Sequence, residues 1–195
     1  MQFREQIYHY LLRKQHRTPI YQSYNSAKRI LLLFESDLLE RNVQIKALVK
    51  QLKADGKEVS AWGFVPGKKA ATSAILRDYR VLAEQDFTFW GWPNDAQKAD
   101  IAREEFDILI DLNVSNLLPL RYLSMYANAS FRCGMQTEEP YTSDFMIDLS
   151  HVDAPEAAPE SADNKTAAEV VESSINPAYL FDQIVHYLKS VEARQ

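Results

Sequence analysis

Cysteine is almost missing from this chain of 195 residues: Cys133 is the only one. That excludes an intramolecular disulfide framework and any cysteine-based zinc cluster. Glycine is scarce as well, with five in the chain and none between Lys28 and Asp55. A dinucleotide fold places G-x-G-x-x-G after its first strand, because glycine lets the backbone approach a pyrophosphate closely. That fingerprint and the Walker-type G-x-x-x-x-G-K-[ST] are both absent. NAD, FAD and P-loop nucleotides are therefore excluded as readings, and no cofactor is expected. The four histidines, His9, His16, His151 and His186, do not follow core strand patterns, and no G-x-S-x-G elbow exists. No apolar run approaches the ~18 residues of a membrane span. The first residues, MQFREQIYHYLLRKQHR, lack the apolar centre of a secretion signal. A cytoplasmic location without a membrane partner is the expectation.

The residues that are present describe an ordinary globular chain. Apolar residues make up 46% and charged residues 25%, enough for one α/β domain with a real core. The net charge of −5 argues against general nucleic-acid binding. The charge is uneven. Met1 to Ile30 carries Arg4, Arg13, Lys14, Arg17, Lys28 and Arg29 against Glu5 alone. His151 to Ile175 carries six acids against Lys165.

Phe3, Ile7, Tyr10 and Leu11 form an apolar stripe that predicts a helix over 2–16, ended before Thr18-Pro19. Ile30-Leu31-Leu32-Leu33-Phe34 reads as a strand buried on both faces, as in the middle of a parallel sheet. Ser36 or Asp37 then offers a cap for a helix carrying Leu38, Leu39, Val43, Ile45, Leu48, Val49 and Leu52. Glu58 to Val65 alternates as a second strand, completing a βαβ unit. Ala70 to Arg77 suggests a short helix, Tyr79 to Leu82 a strand, Phe87 to Pro93 an aromatic strand or packed loop, and Asn94 to Glu105 a polar helix. Ile108-Leu109-Ile110 is a second buried strand; a helix over 117–129 and strands at Phe131–Met135 and Phe145–Leu149 follow.

Residues 152–174 collapse into Ala, Glu, Pro, Ser and Asp and predict a flexible acidic loop. A helix over 176–193 closes the chain. The expected architecture is a single domain over 1–195: a Rossmann-like three-layer αβα sandwich with a mostly parallel sheet of five or six strands. Residues 1–18 form an N-terminal helix and 28–150 the α/β core.

In such a sheet ligands bind beyond the carboxyl ends of the strands. Candidate ligand-binding residues are therefore Glu35 and Ser36 after the first strand, and Asp111, Asn113, Ser115 and Asn116 after Ile110. Glu35, Asp111 and Asp148 are the carboxylates that a Mg²⁺-dependent phosphoryl-transfer or hydrolase site would need. Against that, Asp111 and Asn113 suit a turn and Ser115 or Asn116 a helix cap. Pro66-Gly67-Lys68-Lys69 reads as a turn with solvated lysines. The N-terminal helix and the aromatic run Phe87, Phe89, Trp90, Trp92 are where a homo-oligomer would form, if they do not pack internally.

The string Phe106-Asp107-Ile108-Leu109-Ile110-Asp111-Leu112, followed by Ala127-Asn128-Ala129 and Phe131-Arg132-Cys133-Gly134, resembles part of the N-terminal half of heptosyltransferase-type glycosyltransferases. The resemblance implies a half-domain that binds a sugar or nucleotide through Asn113, Ser115 and Asn116. Those enzymes hold the sugar nucleotide mainly in a second Rossmann domain, for which 195 residues leave no room. Residues 28–150 are also similar to an uncharacterised family of short bacterial proteins. The shared features are the Leu32-Leu33-Phe34 strand, Gly63-Phe64-x-Pro66, the run from Asp86 to Pro93, and the strands ending Asp111-Leu112-Asn113 and Asp148-Leu149. That likeness implies a fold and no activity. Taken together, the sequence points to a non-catalytic binding or interaction module.

Overall fold

A computed structural model describes residues 2–36, 40–67, 74–76, 79–137, 142–150 and 176–191. Its elements are α1 (Gln2–Lys14), β1 (Arg29–Glu35), α2 (Glu40–Ala54), β2 (Glu58–Phe64), β3 (Ala74–Leu76) and β4 (Tyr79–Leu82), then a 3₁₀ turn (Glu84–Asp86). They continue with α3 (Asp95–Arg103), β5 (Glu105–Leu112), α4 (Leu118–Tyr126), β6 (Asn128–Met135), β7 (Phe145–Ile147) and α5 (Pro177–Ser190).

Seven strands form one sheet in the order β3-β4-β2-β1-β5-β6-β7. Six run parallel, and β3 alone is antiparallel, against β4. β1 and β5 are neighbours in its middle, with Ile30 opposite Ile108 and Leu32 opposite Ile110. Every residue from Ile30 to Phe34 and from Ile108 to Leu112 is buried, because side chains alternate between two covered faces. On one face Ile30, Leu32, Ile108 and Ile110 meet α2 (Ile45, Val49, Leu52) and α5 (Leu180, Ile184, Leu188). On the other, Leu31, Leu33 and Leu109 meet α3 (Ile101) and α4 (Leu120, Leu123). This is the three-layer αβα arrangement expected from the sequence.

Several local expectations need correction. The segment expected as a helix over 70–77 contains strand β3 at Ala74–Leu76; its other residues lie outside the described ones. Ile75 and Leu76 have strand propensity, and β4 supplies a free edge for them to pair with. The helix expected over 117–129 stops at Tyr126, and Asn128 already belongs to β6. Phe87 to Pro93 is a packed loop closed by a single bridge between its ends. Asn94 caps α3 by accepting the Gln97 N–H at 3.1 Å. The expected acidic loop at 152–174, Asp37, Lys68 and Lys69 all lie outside the described residues. Among the described residues, no helix is long and apolar enough to cross a membrane.

The central strands pack too closely to admit another atom at Gly63. A methyl group there would meet the Phe34 ring at 2.5 and 2.6 Å, and the buried ring has nowhere to move. Gly63→Ala should therefore cost about 1–3 kcal/mol, measured as a lower urea midpoint at unchanged slope.

Candidate functional site

The chain visits the parallel strands in the order β1, β2, β4 on one side, then returns to place β5, β6 and β7 on the other flank of β1. The direction of winding reverses between β1 and β5, and the crevice beyond their carboxyl ends is where open α/β sheets take ligands. Glu35 stands one step past the last β1–β5 pair, Phe34 with Leu112. Ser36 is buried and its N–H donates to the Phe64 carbonyl at 2.8 Å.

Across the crevice the β5–α4 turn is held by its own side chains. Asp111 is 7% exposed and its Oδ1 accepts the Asn113 N–H at 3.1 Å. Asn113 grips the Leu117 backbone twice: Oδ1 accepts its N–H at 2.7 Å, and Nδ2 donates to its carbonyl at 3.0 Å. The turn reading of Asp111 and Asn113 is thus realised. Asn113, rather than Ser115 or Asn116, satisfies the backbone ahead of α4. Asn116 sits at φ 50, which asparagine tolerates better than most residues. It is exposed and Ser115 half-buried.

Asp148 follows β7, two strands beyond β5, and is exposed with Oδ1 accepting the Ser150 N–H. At ~4.8 Å per strand, that puts it on the order of 14 Å across the sheet from β1. Among the described residues, no group of three or more His, Cys, Asp or Glu side chains is placed to hold a metal ion. Glu35, Asp111 and Asp148 therefore do not form a three-carboxylate centre.

What sequence reasoning missed is the polar cluster over Asp111. Of the expected stripe Phe3, Ile7, Tyr10 and Leu11, Phe3 and Tyr10 are exposed, while Leu11 packs with the fully buried Tyr8 on Tyr122 and Met125 of α4. Arg121 of α4 donates to Glu5 at 2.7 Å, approaches His9 Nε2 at 3.3 Å, and lies 4.2 Å over the Tyr8 ring. The Tyr8 hydroxyl lies towards Arg121 and Thr142 but makes no hydrogen bond of good geometry. Burial raises its pKa to about 12.

Arg132, on the same face of the sheet and 4% exposed, donates through Nη2 to the carbonyls of Met125 and Ala127 at the end of α4. Among the described residues its Nε has no hydrogen-bond partner, nor do the Tyr122 hydroxyl and Ser124 Oγ. Each such buried orphan costs about 1–3 kcal/mol. The sequence carried one signal: Arg132 is a charge between Phe131 and Cys133 in an otherwise apolar strand. Gly134 makes room beside it, since a methyl group there would meet Ser143 Oγ at 2.8 Å and Asp111 Cβ at 3.4 Å.

An aromatic chain leads outward from this cluster. Tyr8 meets Tyr122 edge-on, Tyr122 meets Trp92, and Trp92 leads through Trp90 to Phe89. Phe89 is 76% exposed, with Arg4 stacked 4.7 Å over its ring. The aromatic run packs internally at Trp92 and is exposed at Phe89.

Burial lifts the Asp111 pKa to about 7, outweighing the Asn113 N–H and the charges of Arg121 and Arg132, which lower it. Between pH ~4 and ~7 the unfolded chain loses this proton while the folded chain keeps it. Stability from this group is therefore fully present below pH ~4 and is lost as pH rises to ~7. The upper bound is roughly 4 kcal/mol. Asp111→Asn should gain stability relative to the parent as pH rises over that window. Urea titrations at pH 4, 5.5 and 7.5 check it; a constant difference contradicts the burial argument.

No curated protein and no solved structure matches this chain. Residues 2–161, α1 and the whole sheet included, match DUF6913, a family of unknown function, and the chain belongs to that family.

Proposed function

We propose that the chain is a non-catalytic Rossmann-like binding module of the cytoplasm, whose ligand or partner meets the carboxyl end of the sheet between β1 and β5. The observation that carries this reading is the pair of hydrogen bonds between the Asn113 side chain and the Leu117 backbone, with Asp111 buried in the same turn. The Asp111 and Asn113 side chains are committed to building the turn. Ser115 and Asn116 follow in that turn, after β5, the strand that neighbours β1. A preformed turn loses little entropy on binding, which suits recognition.

The resemblance to a glycosyltransferase half favours a sugar or nucleotide as the ligand class, since Ser115 and Asn116 offer neutral donors and acceptors. The alternative occupant of this end is a second copy of the chain, docking through Phe89 and Phe3. α1 is not a free arm for that purpose, because Tyr8, Leu11 and Leu12 pack on α4.

Amide NMR spectra of the labelled chain, titrated with nucleotides, nucleotide sugars and simple sugars, test the reading. Saturable shifts should centre on Ser115 and Asn116, and Asn116→Asp should weaken the binding about tenfold. A spectrum unchanged across the panel, with a monomeric mass by sedimentation, would overturn it.

A further inference from the structure

The loop between β4 and α3 departs from the usual composition of a turn. The Gly91 N–H donates to the Thr88 carbonyl at 2.8 Å, which leaves Phe89 and Trp90 at the two corners of a tight turn. Corner positions ordinarily go to Gly, Pro, Asn, Asp or Ser. A phenylalanine left 76% exposed forgoes most of the stabilisation that its burial would bring.

The turn is nonetheless firmly built. The Thr88 N–H and hydroxyl both donate to the Trp92 carbonyl, at 2.8 and 3.3 Å, and Phe87 and Pro93 bridge its ends. Arg4 covers Phe89 at 4.7 Å, Phe89 meets Trp90 edge-on at 5.4 Å, and Phe3 braces Trp90 at 5.6 Å. Trp92 is committed to the cluster around Tyr122, whereas Trp90 is only half-buried.

The same loop reaches the turn that follows β5. Phe87 meets Phe64, the last residue of β2, edge-on at 5.1 Å. At Gly91 a methyl group would meet Leu118 Cδ2 at 3.5 Å, and Leu118 directly follows the Leu117 backbone that Asn113 holds. β2 and β5 are the two strands beside β1, so the loop spans from the end of β2 to the start of α4. Every residue of the loop and of the β5–α4 turn is among the described ones.

We infer that the ligand of the crevice carries a nucleobase, stacked on the Phe89–Trp90 corner with its edge on the Asn116 side chain. The inference rests on the crevice reading and names the part of the ligand that is recognised. Aromatic side chains accept any base, because every base has a π-face. A carboxamide sets a donor beside an acceptor, which is the pattern of a base edge, and Asn116 is exposed. No glycine follows β1 to cradle phosphates, which leaves the base as the group to grip.

The test is titration of the full chain with adenosine, with methyl riboside and with a short single strand of adenines, read by tryptophan fluorescence and amide NMR. Adenosine and the strand should quench the fluorescence saturably and shift Phe89, Trp90 and Asn116 together, where methyl riboside does neither. A lower Kd per base for the strand assigns a single-stranded nucleic acid as the source of the base; equal values assign a free nucleoside or nucleotide. Phe89→Ala, at an exposed position, should weaken adenosine about tenfold, and Phe89→Tyr should keep the parental Kd. Shifts at Ser115 and Asn116 that persist at full affinity in Phe89→Ala would overturn the inference and leave the crevice reading in place. No shift at Ser115 and Asn116 with any ligand would remove both. A dimeric mass that Phe89→Ala turns monomeric would assign the aromatic corner to a second copy and also overturn the inference.

Discussion

The pairing of β1 with β5 is the constraint on which the rest of the molecule depends. Two apolar runs, Ile30–Phe34 and Ile108–Ile110, are each covered on both faces, so neither is stable without the other and without helices on both sides. Burying their backbone N–H and C=O groups is tolerable only because the parallel ladder satisfies them. Once they are neighbours, the rest of the order follows: β2 and β4 extend one way, β6 and β7 the other. The reversal of winding falls on the line between them, and that reversal opens the crevice.

A second layer of organisation sits on this frame. The edge of β6 is shared along its length: the Ile20 N–H bonds to the Ser130 carbonyl, while β7 pairs from Cys133 to Met135. Arg17 joins the two parts, donating to Ala129, to Ser130 and to both oxygens of Asp144. The segment after α1 is thereby fixed to the sheet, and α1 is held over α4 by Tyr8 and Arg121. Arg17 and Asp144 are each mostly buried, where a bidentate pair with its remaining donors satisfied is far better placed than an exposed ion pair. Arg132, whose N–H also bonds Asp144, and Asp111 are both buried.

The sheet was legible in the sequence because burial on both faces leaves an unbroken apolar run, and such runs occur at β1 and β5. The carboxyl-end loops were legible for the same reason, since they follow those strands. Asp111 and Asn113 could be read as turn residues from their type and position. β3 was not legible: Ala74-Ile75-Leu76 is too short for period to distinguish helix from strand, and only the free edge of β4 decides it. The buried face of α1 was legible only at Leu11: apolar spacing also favours Phe3 and Tyr10, which are exposed, over Tyr8, which is buried. Tyr8 packs among Tyr122 and Met125 while its ring also takes the Arg121 guanidinium at 4.2 Å, a contact that apolar spacing does not encode. The partnership of Arg17 with Asp144 spans 127 positions, and no local pattern carries it.

The position of the crevice depends on β1 and β5 lying side by side at the protected centre of the sheet. Native-state amide exchange measures this residue by residue, because a hydrogen-bonded amide in the core exchanges only when the whole domain opens. The amides of Ile30–Phe34 and Ile108–Leu112 should be the slowest in the protein, exchanging together at the rate set by global unfolding. Fast or unequal exchange in these two segments, with slower amides elsewhere, would contradict the arrangement and the position of the crevice that follows from it.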